Sequence, residues 1–112
     1  MNTDEKELLA ITRDYGSKAS AIRAKAARLY TGLSQDIFGE RAGIKKAAIS
    51  NIEKGRSLPG RSLMIFLNRQ YRIDFNFIIH GDFAQLPQDV QDKLFPLLAD
   101  VHNEWDQAEG SN

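Results

Sequence analysis

The side chains with the most chemistry to offer are cations, and they are unevenly distributed. Residues 18–72 hold twelve lysines and arginines against three acids, a net +9, while residues 1–17 carry −2 and residues 73–112 carry −7. The whole chain is neutral. A basic block between acidic ends is the pattern of a segment that meets a polyanion; the competing reading is a solvated face whose charges happen to cluster. Catalytic chemistry has less to work with. No nucleophile–base grouping and no glycine-rich phosphate loop is readable, so an enzyme is not expected. There is no cysteine, which removes disulfides and thiolate metal sites. His80 and His102 lack ligand-like neighbours. The acids Asp89, Asp92, Asp100, Glu104 and Asp106 lack the spacing and glycine of a calcium loop, so neither a metal nor a cofactor is expected. His80 reads instead as a helix-ending residue favourable to the dipole.

The elements that must position the cations are helices. With 112 residues, of which 42% are apolar, the chain suits one compact domain plus appendages. Residues 4–15 read as an amphipathic helix with Leu8, Ile11 and Tyr15 on its apolar face and Thr3 or Asp4 as its cap. Gly16 and Ser17 break it. A second helix, 18–31, turns Ile22, Ala26 and Leu29 inward and stops at Gly32. Ser34 caps a third, 35–42; Gly43 forces a turn; a fourth, 45–54, turns Ile49 and Ile52 inward and ends at Gly55. Residues 61–71 form the next, burying Leu63, Phe66 and Leu67. Asp74 caps a short helix, 75–80, closed by Gly81. Pro87 opens a C-terminal helix with the stripe Val90, Leu94, Leu97/Leu98, Val101 and Trp105. Pro96 lies inside that stripe and is expected to kink or split the helix. The tail, 107–112, reads as frayed. The N-terminus does not resemble a secretory signal, and no apolar run approaches the roughly 18 residues of a membrane span. A cytoplasmic protein is expected.

Within residues 35–54 the spacing becomes specific. Two short helices that cross steeply need a small residue where their backbones approach, a glycine at the turn and branched apolar residues in the corner. Gly39, Gly43, Ile49 and Ile52 supply these at positions five, nine, fifteen and eighteen counted from Gln35. The pattern resembles the lambda-repressor-like, or XRE, family of helix-turn-helix proteins. The resemblance extends through GLSQ at 32–35, ISNIEKGR at 49–56, Pro59 and IDFNFIIHGD at 73–82. It implies an all-α fold, with a five-helix DNA-binding domain at 18–82, an extra N-terminal helix in 1–17 and a C-terminal helical arm in 83–112. It also implies a bacterial or phage regulator of transcription that binds double-stranded DNA sequence-specifically and associates with the nucleoid when bound. A repressor acting as a homodimer on a near-palindromic operator is the expected form.

In such proteins the second helix of the motif enters the major groove. By resemblance, Lys46, Ala47, Ser50 and Asn51 would face the bases. Lys46 would donate to guanine, Asn51 would pair with adenine, and the Ala47 methyl would meet a thymine methyl. The alternative is that Lys45 and Lys46 meet only phosphates. Gln35, at a helix N-terminus, and Lys45, Lys54, Arg56 and Arg61 are the implied phosphate contacts. Arg28 and Glu53 are an implied structural ion pair. Three residues depart from the family pattern. Gly39 stands where alanine is usual, at a cost of up to about 1 kcal/mol of helix stability. Lys45 is a weak N-cap, and Arg72 replaces a frequent glycine.

Two readings of the C-terminal arm stay open. Its stripe, Val90–Leu94–Leu98–Val101–Trp105, is either a dimer surface or part of the chain's own core. Its acids would keep the arm off DNA. They also raise the alternative of an antitoxin-like regulator that binds a partner protein through the arm.

Overall fold

The computed structural model of the chain describes residues 1–110, and its elements are six α-helices and one short π-helical turn. They run α1 Thr3–Ala10, α2 Ser17–Thr31, α3 Gln35–Ala42, α4 Lys46–Glu53, α5 Arg61–Tyr71, the π-turn Asn76–His80, and α6 Gln88–Gly110. Local chemistry sets most boundaries. Ser34 accepts from the Ile37 amide at α3, and Asp74 accepts from the Phe77 amide at the π-turn. Left-handed glycines at 32 and 43 close α2 and α3.

The ends of the chain depart from expectation. α1 is shorter than 4–15 and is capped by Asn2, whose side chain accepts from the Glu5 amide, rather than by Thr3 or Asp4. It closes in a left-handed turn at Ile11, with amides 11 and 12 bonded back to Leu8 and Glu7. That early turn rotates the expected stripe: Leu8 and Tyr15 are exposed, while Ala10 is buried and Leu9 and Ile11 pack against the core. Pro96 does not split α6, which is one helix through Gly110. Pro96 and Asp92 are both exposed, so the carbonyl that loses its donor to the proline lies on the solvent side of the helix, where water can replace that donor. The tail expected to fray is helical over 107–110; residues 111 and 112 lie outside the described residues.

α6 settles on its own chain. Val90, Leu94, Leu98 and Val101 are each fully buried, and Trp105 is partly so. The stripe is therefore core and not a dimer surface. Ala10 of α1 joins the same core as Ile22, Ile49, Leu67 and Phe77. Lys6 Nζ donates to Gln91 at 2.7 Å, and His102 Nε2 lies 2.8 Å from the Leu9 carbonyl, so α1 and α6 are joined directly. Charge reinforces the docking. Lys18 pairs with Glu109 and Lys25 with Glu104, which sets two acids of α6 against two bases of α2.

The deepest polar group is Arg23, which is fully buried. Its guanidinium donates to five main-chain carbonyls: Ala10, Ile11 and Asp14 around the end of α1, and Ile78 and Ile79 in the π-turn. Burial pushes its pKa below the ordinary arginine value, while the Asp14 and Asp82 charges oppose that. Helix C-terminal carbonyls carry partial negative charge, so a cation beneath them is electrostatically matched. Gly81 completes the junction with φ +72°. A Cβ there would lie 2.6 Å from the Ala10 oxygen and 3.1 Å from Arg23 Nε.

Candidate nucleic-acid interface

α3 and α4 meet across the Gly43 turn, and Gly39 is where they come closest. The Ile44 amide donates to the Gly39 carbonyl at 2.8 Å. A Cβ on Gly39 would lie 2.4 Å from the Ile44 oxygen, so the departure from alanine has a steric cause: this turn is too tight for one. On α4, Ile49 and Ile52 are buried while Lys46, Ala47 and Asn51 are exposed and Ser50 is half-buried. These four lie at i, i+1, i+4 and i+5, which is one side of a helix. Lys45 takes the N-cap position without a side-chain cap bond.

Beneath the start of α3, three side chains form a chain of hydrogen bonds. Arg28 Nε donates to Glu53 Oε2 at 2.6 Å, and Arg28 Nη2 to Glu53 Oε1 at 3.0 Å. Gln35 Nε2 donates to the same Oε1 at 3.1 Å. Arg28 Nη1 donates to the Leu33 carbonyl, which ties the α2–α3 loop to the pair. The structure thus brings together Arg28, Glu53 and Gln35, though the resemblance implied only the first two as a pair.

The basic block divides in two. Arg23 and Arg28 are spent inside the fold, and Lys18, Lys25 and Arg72 pair with Glu109, Glu104 and Asp89. The other seven are Arg41, Lys45, Lys46, Lys54, Arg56, Arg61 and Arg69, all exposed and all on or beside α3, α4 and α5. Among the described residues the one ion pair in this set is a long contact, Lys46 to Asp36 at 3.9 Å. Arg41 and Arg69 are additions to the expected set. They flank a shallow groove over Ala42, Ile65 and Phe66, and only their remaining unpaired marks them out.

A positive surface around a helix whose outer face carries a lysine, a methyl, a hydroxyl and an amide can neutralise phosphates and offer donors to base edges. Among the described residues no helix is long and apolar enough to cross a membrane. No curated protein and no solved structure matches the chain. A family model described as helix-turn-helix matches residues 25–78, which run from the middle of α2 into the π-turn and include every residue of the α3–α4 site. The chain therefore carries a helix-turn-helix domain of the lambda-repressor-like XRE family, the fold of DNA-binding transcriptional regulators.

Proposed function

We propose that the protein is a transcriptional repressor that binds a near-palindromic operator as a homodimer, with α4 in the major groove. The observation that carries this reading is the free face of α4, surrounded by cations that have no strong partner within the fold. Lys46, Ala47, Ser50 and Asn51 read bases, and Gln35, Lys45, Lys54, Arg56 and Arg61 hold phosphates. The amphipathic acidic arm, which favoured a partner-sequestering regulator, supports that alternative less, because its stripe is core and two of its acids, Glu104 and Glu109, pair with α2.

A second copy docks instead on the strip of Ile65, Phe75 and Ile79, which are 40, 52 and 36% exposed. Phe75 and Ile79 are four residues apart. Phe75 also borders a cavity of about 220 Å³ lined by Arg61, Met64, Ile65 and Asn68, so the strip offers both a knob and a hole for isologous pairing. The chain measures 38 × 35 × 23 Å, and two copies side by side match half-sites about 34 Å apart.

Selection of bound sequences from random duplex DNA, with the mass of the complex measured, tests the reading. The expected result is one enriched inverted repeat bound by two chains. Affinity should fall with salt at a log–log slope of about −7, from four cations per copy. The variant Phe75→Glu should bind as a monomer, and weakly. Absence of any enriched sequence at low salt would sink the proposal.

A further inference from the structure

Glu53 ends α4, yet its carboxylate serves two other helices. It accepts from Arg28 of α2 through both oxygens and from Gln35 of α3 through one. The Arg28 and Glu53 side chains are only 11 and 6% exposed, and Gln35 is half-buried above them. A carboxylate can only accept, so it selects the NH₂ end of the Gln35 amide. A phosphate oxygen is also only an acceptor. With Nε2 seated on Glu53, its second N–H is left for a phosphate, beside the free amides at the start of α3. An anion directly below a phosphate site would normally repel it. The bidentate Arg28 neutralises the carboxylate, so the site keeps the orienting acceptor without its net charge.

We infer that Glu53 is a positioning residue for DNA binding: it orients the Gln35 amide toward one backbone phosphate, and Arg28 makes an acceptor tolerable there. The inference rests on the DNA-binding reading above. It adds that a residue with no DNA contact of its own decides one of the contacts.

The test uses the full chain and a duplex bearing its selected site, with single methylphosphonate replacements made at each backbone position in turn. Wild type should lose roughly tenfold in affinity at the phosphate facing Gln35. Gln35→Met, of similar length without the amide, should bind that duplex and the unmodified one alike. Glu53→Gln, its fold checked by thermal melting, should lose most of the penalty at that one phosphate and keep the penalties elsewhere. A merely structural role would weaken binding at every position together. If Glu53→Gln does not fold, Gln35→Asn takes its place. One methylene shorter, its amide cannot span Glu53 and the phosphate, and the penalty should vanish as in Gln35→Met. A full tenfold penalty retained in Glu53→Gln or in Gln35→Asn overturns the inference while leaving DNA binding intact. No penalty at any phosphate in wild type also overturns the inference, whereas failure to select any site is what overturns the DNA-binding reading itself.

Discussion

Arg23 and Arg28 lie five residues apart on α2 and anchor its two neighbourhoods by different chemistry. Arg23 takes only main-chain carbonyls, from the end of α1 and from the π-turn. Arg28 takes mostly side-chain atoms, through a carboxylate that also holds Gln35. The first neighbourhood is closed: its cation is fully buried and all its donors are used. The second stops at a surface where seven cations go without strong partners. The difference separates what holds the fold together from what is left free for a polyanion.

The sharpest way to break the comparison is Arg23→Met. It keeps an apolar stem of similar length but takes a donor from five carbonyls, those of Ala10 and Ile78 buried and those of Ile11, Asp14 and Ile79 partly so. Each orphaned buried group costs about 1–3 kcal/mol, moderated by relaxation and water entry. A net loss on the order of 4 kcal/mol is expected, a large part of the roughly 5–15 kcal/mol such a domain has. Differential scanning calorimetry should show the melting temperature falling by roughly 15 °C. DNA selectivity of the protein that stays folded should not change, because every hydrogen bond of Arg23 goes to the end of α1 or to the π-turn. A melting point within a few degrees of wild type would mean that the α1 junction holds without its cation.

The same contrast explains what could be read from the amino-acid sequence. Arg28 and Glu53 stood out because the family resemblance implies a pair at these two places, and the residues here carry opposite charges. Arg23 could not stand out, because carbonyls have no residue type. The nearest signal was its setting: Ala19, Ala21, Ala24, Ala26 and Ala27 are all buried around it, and so many small residues mark a helix packed on every side. The helices from α2 to α5 were legible because each has a polar or glycine boundary and a 3.6-residue apolar rhythm. The turn after α1 was not, since its positive-φ residues are Ile11 and Arg13 rather than glycines, and Ile11 is a β-branched type that rarely takes φ of 50°. Arg23 bonds the carbonyls on either side of that turn. The arm's stripe was equally visible as core or as interface, and only its packing on α2 decided between them.

A smaller effect separates the two neighbourhoods on the DNA-facing side. Gly39→Ala would add helix propensity worth about 1 kcal/mol, and alanine is what the family pattern leads one to expect. The 2.4 Å approach to the Ile44 oxygen outweighs that gain. Overpacking of this kind costs about 1–3 kcal/mol, so chemical denaturation should show a net loss. DNA affinity should fall by more than stability does, because the clash is relieved by swinging α4 relative to α3. A variant as stable as wild type and unimpaired on DNA would show that the turn can relax, which would remove the steric account of this glycine.

Lys45→Ser is expected to have the smallest effect, with opposite signs for folding and for binding. Lys45 occupies the N-cap of α4 at φ −69° and ψ 147°, with no side chain serving the first amides. Serine at that position would accept from one of them and should raise stability by about 1 kcal/mol in denaturant titration. It would also remove one cation per copy from the phosphate-facing set. The salt dependence of binding by the dimer should then soften by about 2 in log–log slope. A domain that forgoes a cap at the mouth of its recognition helix while satisfying every donor of Arg23 invests stability away from the binding surface. If Lys45→Ser gained stability with its salt slope unchanged, Lys45 would belong to the solvated surface, and the charge contrast would have to rest on the other six cations.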